Sequence, residues 1–191
     1  RGNDLVVSAW DLISGDVRPG SNVLVFDDAG DHAGLQAAEI VAKAGGHVEI
    51  MTPDRSFAPE VMAMNLVPYM RTLQQLDTTF TVTWRLKAVH KGEAGLLASI
   101  GTDYSELRQT RQVDQVVVNH GTRPLDELYF QLCPLSSNEG AVEYMDLIAG
   151  RPQTVARRND GRFQLFRIGD AVASRNTHAA IYDALRLVKD L

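Results

Sequence analysis

The stretch "VLVFDDAGDHAGLQAAEIVAKAGGHVEIMTPD", Val23 to Asp54, decides the fold. Val23 to Phe26 is a continuous apolar run of the kind buried on both faces of a parallel sheet. From Ala33 onward, Leu35, Ala38, Val41, Ala42 and Ala44 fall at helical spacing, and Gly45-Gly46 supplies the stop. Val48 to Met51 is the next strand, closed by Thr52-Pro53. Strand, helix, strand in so few residues is most economically a parallel pair joined by a right-handed crossover.

Glycine in the first turn and an acidic residue beyond the second strand are also the rhythm of a dinucleotide-binding unit. There the glycines allow a tight turn and close approach of a pyrophosphate, and the helix N-terminus supplies free N–H groups and a positive dipole. This turn departs from that pattern. With Gly34 as the third glycine, Ala29 and Asp31 stand at the first and second positions; with Gly30 as the second, Asp28 is the first and Ala33 the third. Asp27 and Asp28 aimed at a diphosphate repel it, whereas a carboxylate can bind ribose hydroxyls or cap the helix. Past the second strand, Asp54 suits a ribose 2′-hydroxyl and Arg55 a 2′-phosphate. Two readings stay open: a retained nucleotide site, or a βαβ unit kept as scaffold.

Outward from this core, Leu5 to Val7 reads as an extended lead-in, followed by a short helix that Ser8 caps and Gly15 ends. Ala58 to Leu76 reads as helix with Pro59 in its first turn and a kink or break at Pro68. "TTFTVTWRLKAVHKGEAGLLASIG" alternates as an antiparallel hairpin or meander around Lys91-Gly92, and Asp114 to Asn119 returns to a buried strand. "HGTRPLDELYFQL" then leads into a short helix, "CPLSSNEG" is a linker, and Ala141 to Ala149 is helical. "FQLFRIGDAVASRNTHAAIYDALRLVKDL" ends the chain as strand, glycine-acid turn and helix.

With 191 residues, 45% hydrophobic and 23% charged, the chain can bury a substantial core as one domain or one plus a fragment. A net charge of −5 without basic runs gives no reason to expect nucleic acid or an anionic membrane as partner. No apolar run reaches the ~20 residues of a membrane span, and "RGNDLVVSAW" lacks the features of a signal peptide. The lone Cys133 excludes an intramolecular disulfide and suits a reducing cytoplasm. A start without Met leads to the expectation that the chain was cut from something longer.

Five histidines, His32, His47, His90, His120 and His178, fall in no HxxxH or HExxH spacing and beside no cysteine pair, which argues against a metal site. No serine sits in a GxSxG elbow. Trp10 and Trp84 read as packing residues and Cys133 as a bystander.

Two further segments bear on function. "VDQVVVNHGTRPLDELY", Val113 to Tyr129, resembles the strand, glycine, proline signature with which the pyridine-nucleotide domain of two-dinucleotide flavoproteins hands back to the FAD domain. "FQLFRIGDAVASRNTHAAIYDAL", Phe163 to Leu185, resembles the late FAD motif of the same superfamily. With the opening stretch, order and spacing resemble the C-terminal part of the trimethylamine dehydrogenase, dimethylglycine demethylase and dienoyl-CoA reductase family over essentially the whole chain.

The resemblance implies an α/β fold: residues 1–120 as lead-in plus an inserted Rossmann-like NAD(P)- or ADP-type domain, and residues 121–191 as an incomplete return segment of an FAD/ADP-type domain. It places Gly30, His32 and Gly34 along the inserted domain's turn, beside the nucleotide-contact candidates Asp28, Asp54 and Arg55, with Gly121, a further cofactor-binding candidate, opening the return segment. Gly169, Asp170, Asn176, Thr177 and His178 become the flavin-side group. FAD or ADP, and NAD(P)H, are the implied cofactors; FMN and a 4Fe-4S cluster belong to a barrel outside this chain. The parent reads as a demethylase of a small methylated amine, the alternatives being an NAD(P)H-dependent enoyl reductase or a scaffold domain with a lost nucleotide site. The remainder of that flavoenzyme and an electron-transfer flavoprotein are the implied partners. Unpaired strand edges in the incomplete portion lead us to expect self-association through the C-terminal segment.

Overall fold

The computed structural model describes residues 1–188. The chain divides into two compact units, Arg1–Gly121 and Thr122–Leu191.

Unit 1 is built on a parallel sheet whose strands are β1 (Val7–Ser8), β2 (Asn22–Asp27), β3 (His47–Met51), β4 (Thr79–Thr81) and β8 (Gln115–Asn119). Their order is β1-β8-β2-β3-β4. The apolar run of β2 pairs on one side with β3, Val25 opposite Ile50, and on the other with β8, Asp27 opposite Asn119. Side chains alternate across the pleat. Val23 and Val25 therefore join Leu35, Val41, Ile50 and Leu73 in one apolar cluster, while Leu24 and Phe26 join Met51, Val89, Ile100 and Val116 in a second.

Helices α1 (Ala9–Ser14), α2 (His32–Lys43) and α3 (Ala63–Gln75) supply the first cluster. As expected, Ser8 caps α1: its hydroxyl accepts the Trp10 N–H, its own N–H donates to Asp11, and Gly15 ends the helix at φ 83°. Gly45 follows α2 with φ 86°, a conformation open to glycine at little cost. The second cluster lies against an antiparallel meander of β5 (Arg85–Gly92), β6 (Gly95–Gly101) and β7 (Arg108–Val113).

Three local readings change. Helix α3 starts at Ala63 instead of Ala58, so Pro59 lies in the preceding loop. Pro68 lies inside a continuous helix, so the break allowed for there does not occur. Thr79–Thr81 joins the parallel sheet beside β3, where the Thr81 hydroxyl donates to Glu49 at 2.7 Å, instead of beginning the meander.

Unit 2 contains α4 (Glu127–Leu132), α5 (Tyr144–Ala149) and α6 (Thr177–Val188), with short 3-10 turns at Cys133–Leu135 and Gly169–Ala171. The strand expected at Phe163 to Ile168 is not formed: a strand needs a hydrogen-bonded neighbour, and no strand is present among the described residues of this unit. What this segment bonds to instead is polar. Asn138 accepts the Leu165 N–H at 2.8 Å and donates to the Leu165 and Ala141 carbonyls. No helix among the described residues is long and apolar enough to cross a membrane.

Candidate functional site

In an open parallel sheet, ligands bind beyond the carboxyl ends of the strands, at the crevice where the chain's winding direction reverses. Here that point lies between β2 and β8, because β2 continues to β3 on one side while β8 fills the other. The turn from Asp27 to Asp31 occupies it.

Burial makes the chemistry of this turn unusual. Asp27 is fully buried and ends β2. Its Oδ1 accepts the Gly30 N–H at 3.0 Å and the Asn119 Nδ2 at 2.9 Å, while Oδ2 has no hydrogen-bond partner. Asn119 donates also to Asp31 Oδ1 at 2.8 Å, and its backbone carbonyl accepts the N–H groups of Asp28 and Ala29. Asp31 is the N-cap of α2 and accepts the Ala33 N–H at 2.9 Å. The N–H groups of Asp28, Ala29, Gly30 and Ala33 are thus each satisfied by the protein. Desolvation raises the Asp27 pKa above the ordinary carboxylate value; the Gly30 and Asn119 bonds oppose that shift.

The two glycines of the turn serve this arrangement. A Cβ on Gly34 would lie 2.4 Å from Cγ of Asp27, so helix α2 can approach the carboxyl group only through a glycine. Gly30 takes φ 68°, and a Cβ there would meet the Pro59 ring at 2.6 Å. Glu60 donates its N–H to the Gly30 carbonyl, drawing the loop before α3 over the turn.

Asp28 belongs to a separate charge group. Arg85 on β5 donates to Asp28 at 3.0 Å and to Asp103 at 3.0 Å, and Lys87 donates to Asp103 at 2.8 Å. The hydrogen bond to Asp103, more than the contact with Asp28, raises the Arg85 pKa, and Lys87 together with Arg85 holds Asp103 below the usual carboxylate value. His120 Nδ1 lies 3.4 Å from the other Asp28 oxygen, its ring edge-on to Phe26.

The remaining residues of this site are dispersed. His32 lies beside Tyr69 of α3, ring nitrogen to hydroxyl 3.4 Å. Asp54 and Arg55 are exposed in the loop after β3, and Gly121, at φ 77°, follows β8 near Ala29. Asn119 and Pro59, which complete and cover the turn, are the residues sequence reading missed. An amide ending an apolar strand was a visible signal for the first; the second has none, because it depends on the path of a loop.

In unit 2 the flavin-side residues gather at the start of α6. Gly169 is buried with φ 57°, donates its N–H to Asp183 at 3.1 Å, and is in contact range of Ala180. Asn176 accepts the Ala179 N–H at 2.9 Å and so caps α6, with Thr177 and His178 exposed in its first turn. Asp170 is exposed and makes no side-chain bond among the described residues. Arg167 lies over the Tyr129 ring at 4.8 Å and bonds Asp126 at 2.6 Å. Arg167 and Tyr129, with Tyr144, Arg157, Arg175 and Asp183, line an open cleft of about 520 Å³, which Gly169, Asp170, Asn176, Thr177 and His178 do not line.

No protein-family model matches the chain. Among curated proteins it is 71% identical over 191 residues to "Probable N-methylproline demethylase" of Rhizobium meliloti (strain 1021), covering 100% of this chain and 28% of that protein. It is 42% identical over 194 residues to "N,N-dimethylglycine/sarcosine dehydrogenase" of Chromohalobacter salexigens, again covering 100% of this chain and 28% of the relative. Among solved structures, histamine dehydrogenase from Rhizobium sp. 4-9 matches with a TM-score of 0.64 and 21% identity over 95% of this chain and 25% of that one, a likeness of fold. The chain therefore spans 28% of the length of the curated relatives it matches.

Proposed function

From its close homology to one segment of that demethylase and that dehydrogenase, we propose that this chain is the nucleotide-binding-type region of a larger cytoplasmic flavoprotein that oxidatively demethylates a small methylated amine or amino acid. The observation that carries this reading is the 71% identity to the demethylase across the full chain. The boundary near residue 121 separates an inserted Rossmann-like unit from the return segment of an FAD/ADP-type portion.

The two units differ in their fit to a nucleotide. In unit 1 the residues do not fit a diphosphate, because the turn's N–H groups are already bonded to Asp27, Asp31 and Asn119 and its glycine lies under Pro59. Unit 1 is scaffold in this reading and takes no NAD(P)H. In unit 2 the exposed Asp170 carboxylate fits a ribityl or ribose hydroxyl, and the close Gly169–Ala180 contact brings α6 up to it. FAD or ADP would be held there by Gly169, Asp170 and the Asn176–His178 helix start. A bound flavin supplies acceptance of two electrons from a substrate C–H bond. FMN, the 4Fe-4S cluster and the substrate-oxidising residues belong to the remainder of the parent, an electron-transfer flavoprotein is the acceptor, and unit 2 is the surface for self-association.

The test is turnover by a full-length polypeptide carrying this segment, offered N-methylproline, dimethylglycine and sarcosine without pyridine nucleotide. Formaldehyde release with bleaching of the flavin absorbance is expected. Absence of both, with NAD(P)H-driven reduction of an enoyl substrate, would overturn this reading in favour of the reductase.

A further inference from the structure

We propose that Asp27 is an internal ligand of the unit 1 turn: its carboxyl group occupies the oxyanion position at the end of β2 and, with Asp31 and Asn119 taking the neighbouring N–H groups, closes the site to diphosphates. The proposal deepens the reading of unit 1 as a scaffold and rests on it.

The geometry is that of a filled oxygen-acceptor site. A 12-residue helix starts beside the turn, and such an N-terminus favours negative charge and oxygen acceptors. The donors a phosphate would use converge on Asp27 instead: the Gly30 N–H at 3.0 Å and the Asn119 Nδ2 at 2.9 Å reach the same oxygen. The second oxygen is buried and unpartnered, so the carboxyl group is held from one side only, by one backbone N–H and one side-chain amide. Gly34 completes the site, since any side chain there would overlap the carboxyl group. The glycine that a dinucleotide site keeps for its pyrophosphate is kept here for a carboxyl group of the same chain.

Replacing Asp27 by glycine empties a space about the size of an acetate ion, enough to admit formate, lined by the Gly30 N–H, the Asn119 amide and the Gly34 Cα. The experiment is thermal unfolding of the 191-residue chain and of its Asp27→Gly and Asp27→Asn variants, each titrated with sodium formate, inorganic phosphate and ADP against matched sodium chloride. Asp27→Gly should melt earlier and regain about 4 °C or more at saturating formate, with no response to chloride. Asp27→Asn keeps an acceptor oxygen and the volume, so it should respond to none of them, like the unsubstituted chain. If Asp27→Gly does not fold unaided, formate should restore a cooperative transition.

A folded Asp27→Gly variant indifferent to formate, phosphate and ADP, or an unfolded one that formate does not rescue, overturns the internal ligand while leaving the scaffold reading intact. A formate response in Asp27→Asn overturns it as well. Saturable ADP binding by the unsubstituted chain overturns the scaffold reading and the proposal together. A gain of ADP binding in Asp27→Gly alone supports the proposal and shows that the cleared turn admits a diphosphate.

Discussion

Unit 1 buries an apolar cluster on each face of its sheet, whereas the described part of unit 2 buries Ser136, Asn138 and Gln153 and leaves Leu125, Ile148 and Ile181 open to solvent. The same chain thus holds itself together in two ways. In unit 1, hydrophobic burial does the work and hydrogen bonds fix register. In unit 2, the buried side chains are polar and tie loop to loop, as when Gln153 both donates to and accepts from the Glu143 backbone. The difference shows in α6, which leaves Ile181, Tyr182 and Leu185 exposed at helical spacing, an apolar stripe uncovered by the described residues.

The sharpest break of that comparison is Phe26→Ala in β2. It should cost about 3–5 kcal/mol, the range for emptying an aromatic site in a core, and a urea melt that moves by less than a third of this would mean unit 1 is not core-driven. Next comes Asn138→Ala in unit 2, which strands the Leu165 N–H and the Ala141 and Leu165 carbonyls. A loss of about 1–3 kcal/mol is expected, read as lost protection of the Leu165 amide in hydrogen exchange.

Asp27 gives a pH-dependent test. Its carboxyl pKa is raised in the folded state, chiefly by burial, so the folded form holds the proton more tightly than the unfolded one. The contribution of Asp27 to stability therefore falls as pH rises from the ordinary aspartate range to the raised folded value, with a slope of at most about 1.4 kcal/mol per pH unit, and is level above it. Asp27→Asn removes that slope, so paired urea melts of the two proteins should diverge through the window, the variant gaining on the parent chain; parallel curves would contradict the burial effect. The smallest effect belongs to Ile181→Ser, within about 0.5 kcal/mol in this chain by urea melt. The same substitution in the longer polypeptide should be felt much more, and equal costs in both would remove the argument that α6 is covered there.

What could be read in advance followed the local physics. The apolar run at Val23, the helical spacing from Ala33, the Ser8 cap and the strand ending at Asn119 were legible because each is decided within a few residues. The misread pieces depended on distant partners. Thr79–Thr81 is too short to declare its sheet, and the start of α3 was hidden because Pro59, a good first-turn residue, is taken up in covering Gly30. Phe163 to Ile168 has the composition of a strand and, among the described residues of its unit, no strand to pair with. At the turn, the sequence exposed the question through Asp27 and Asp28 but not their opposite fates: one is buried against the Gly30 N–H and the Asn119 amide, the other drawn outward by Arg85.

The position of β8 carries a kinetic consequence. It is the last strand of unit 1 in the chain but lies inside the sheet, between β1 and β2, pairing Val117 with Val7 on one side and with Val25 on the other. Closing loops of that length precedes any reward from the contacts, which slows folding. On a ribosome, the earlier strands must wait with two unsatisfied edges until Asn119 has emerged, and the same residue then locks the turn. Assembly of the sheet and closure of the turn are accordingly one late event, and a nascent chain halted before residue 115 is the form most exposed to wrong pairing.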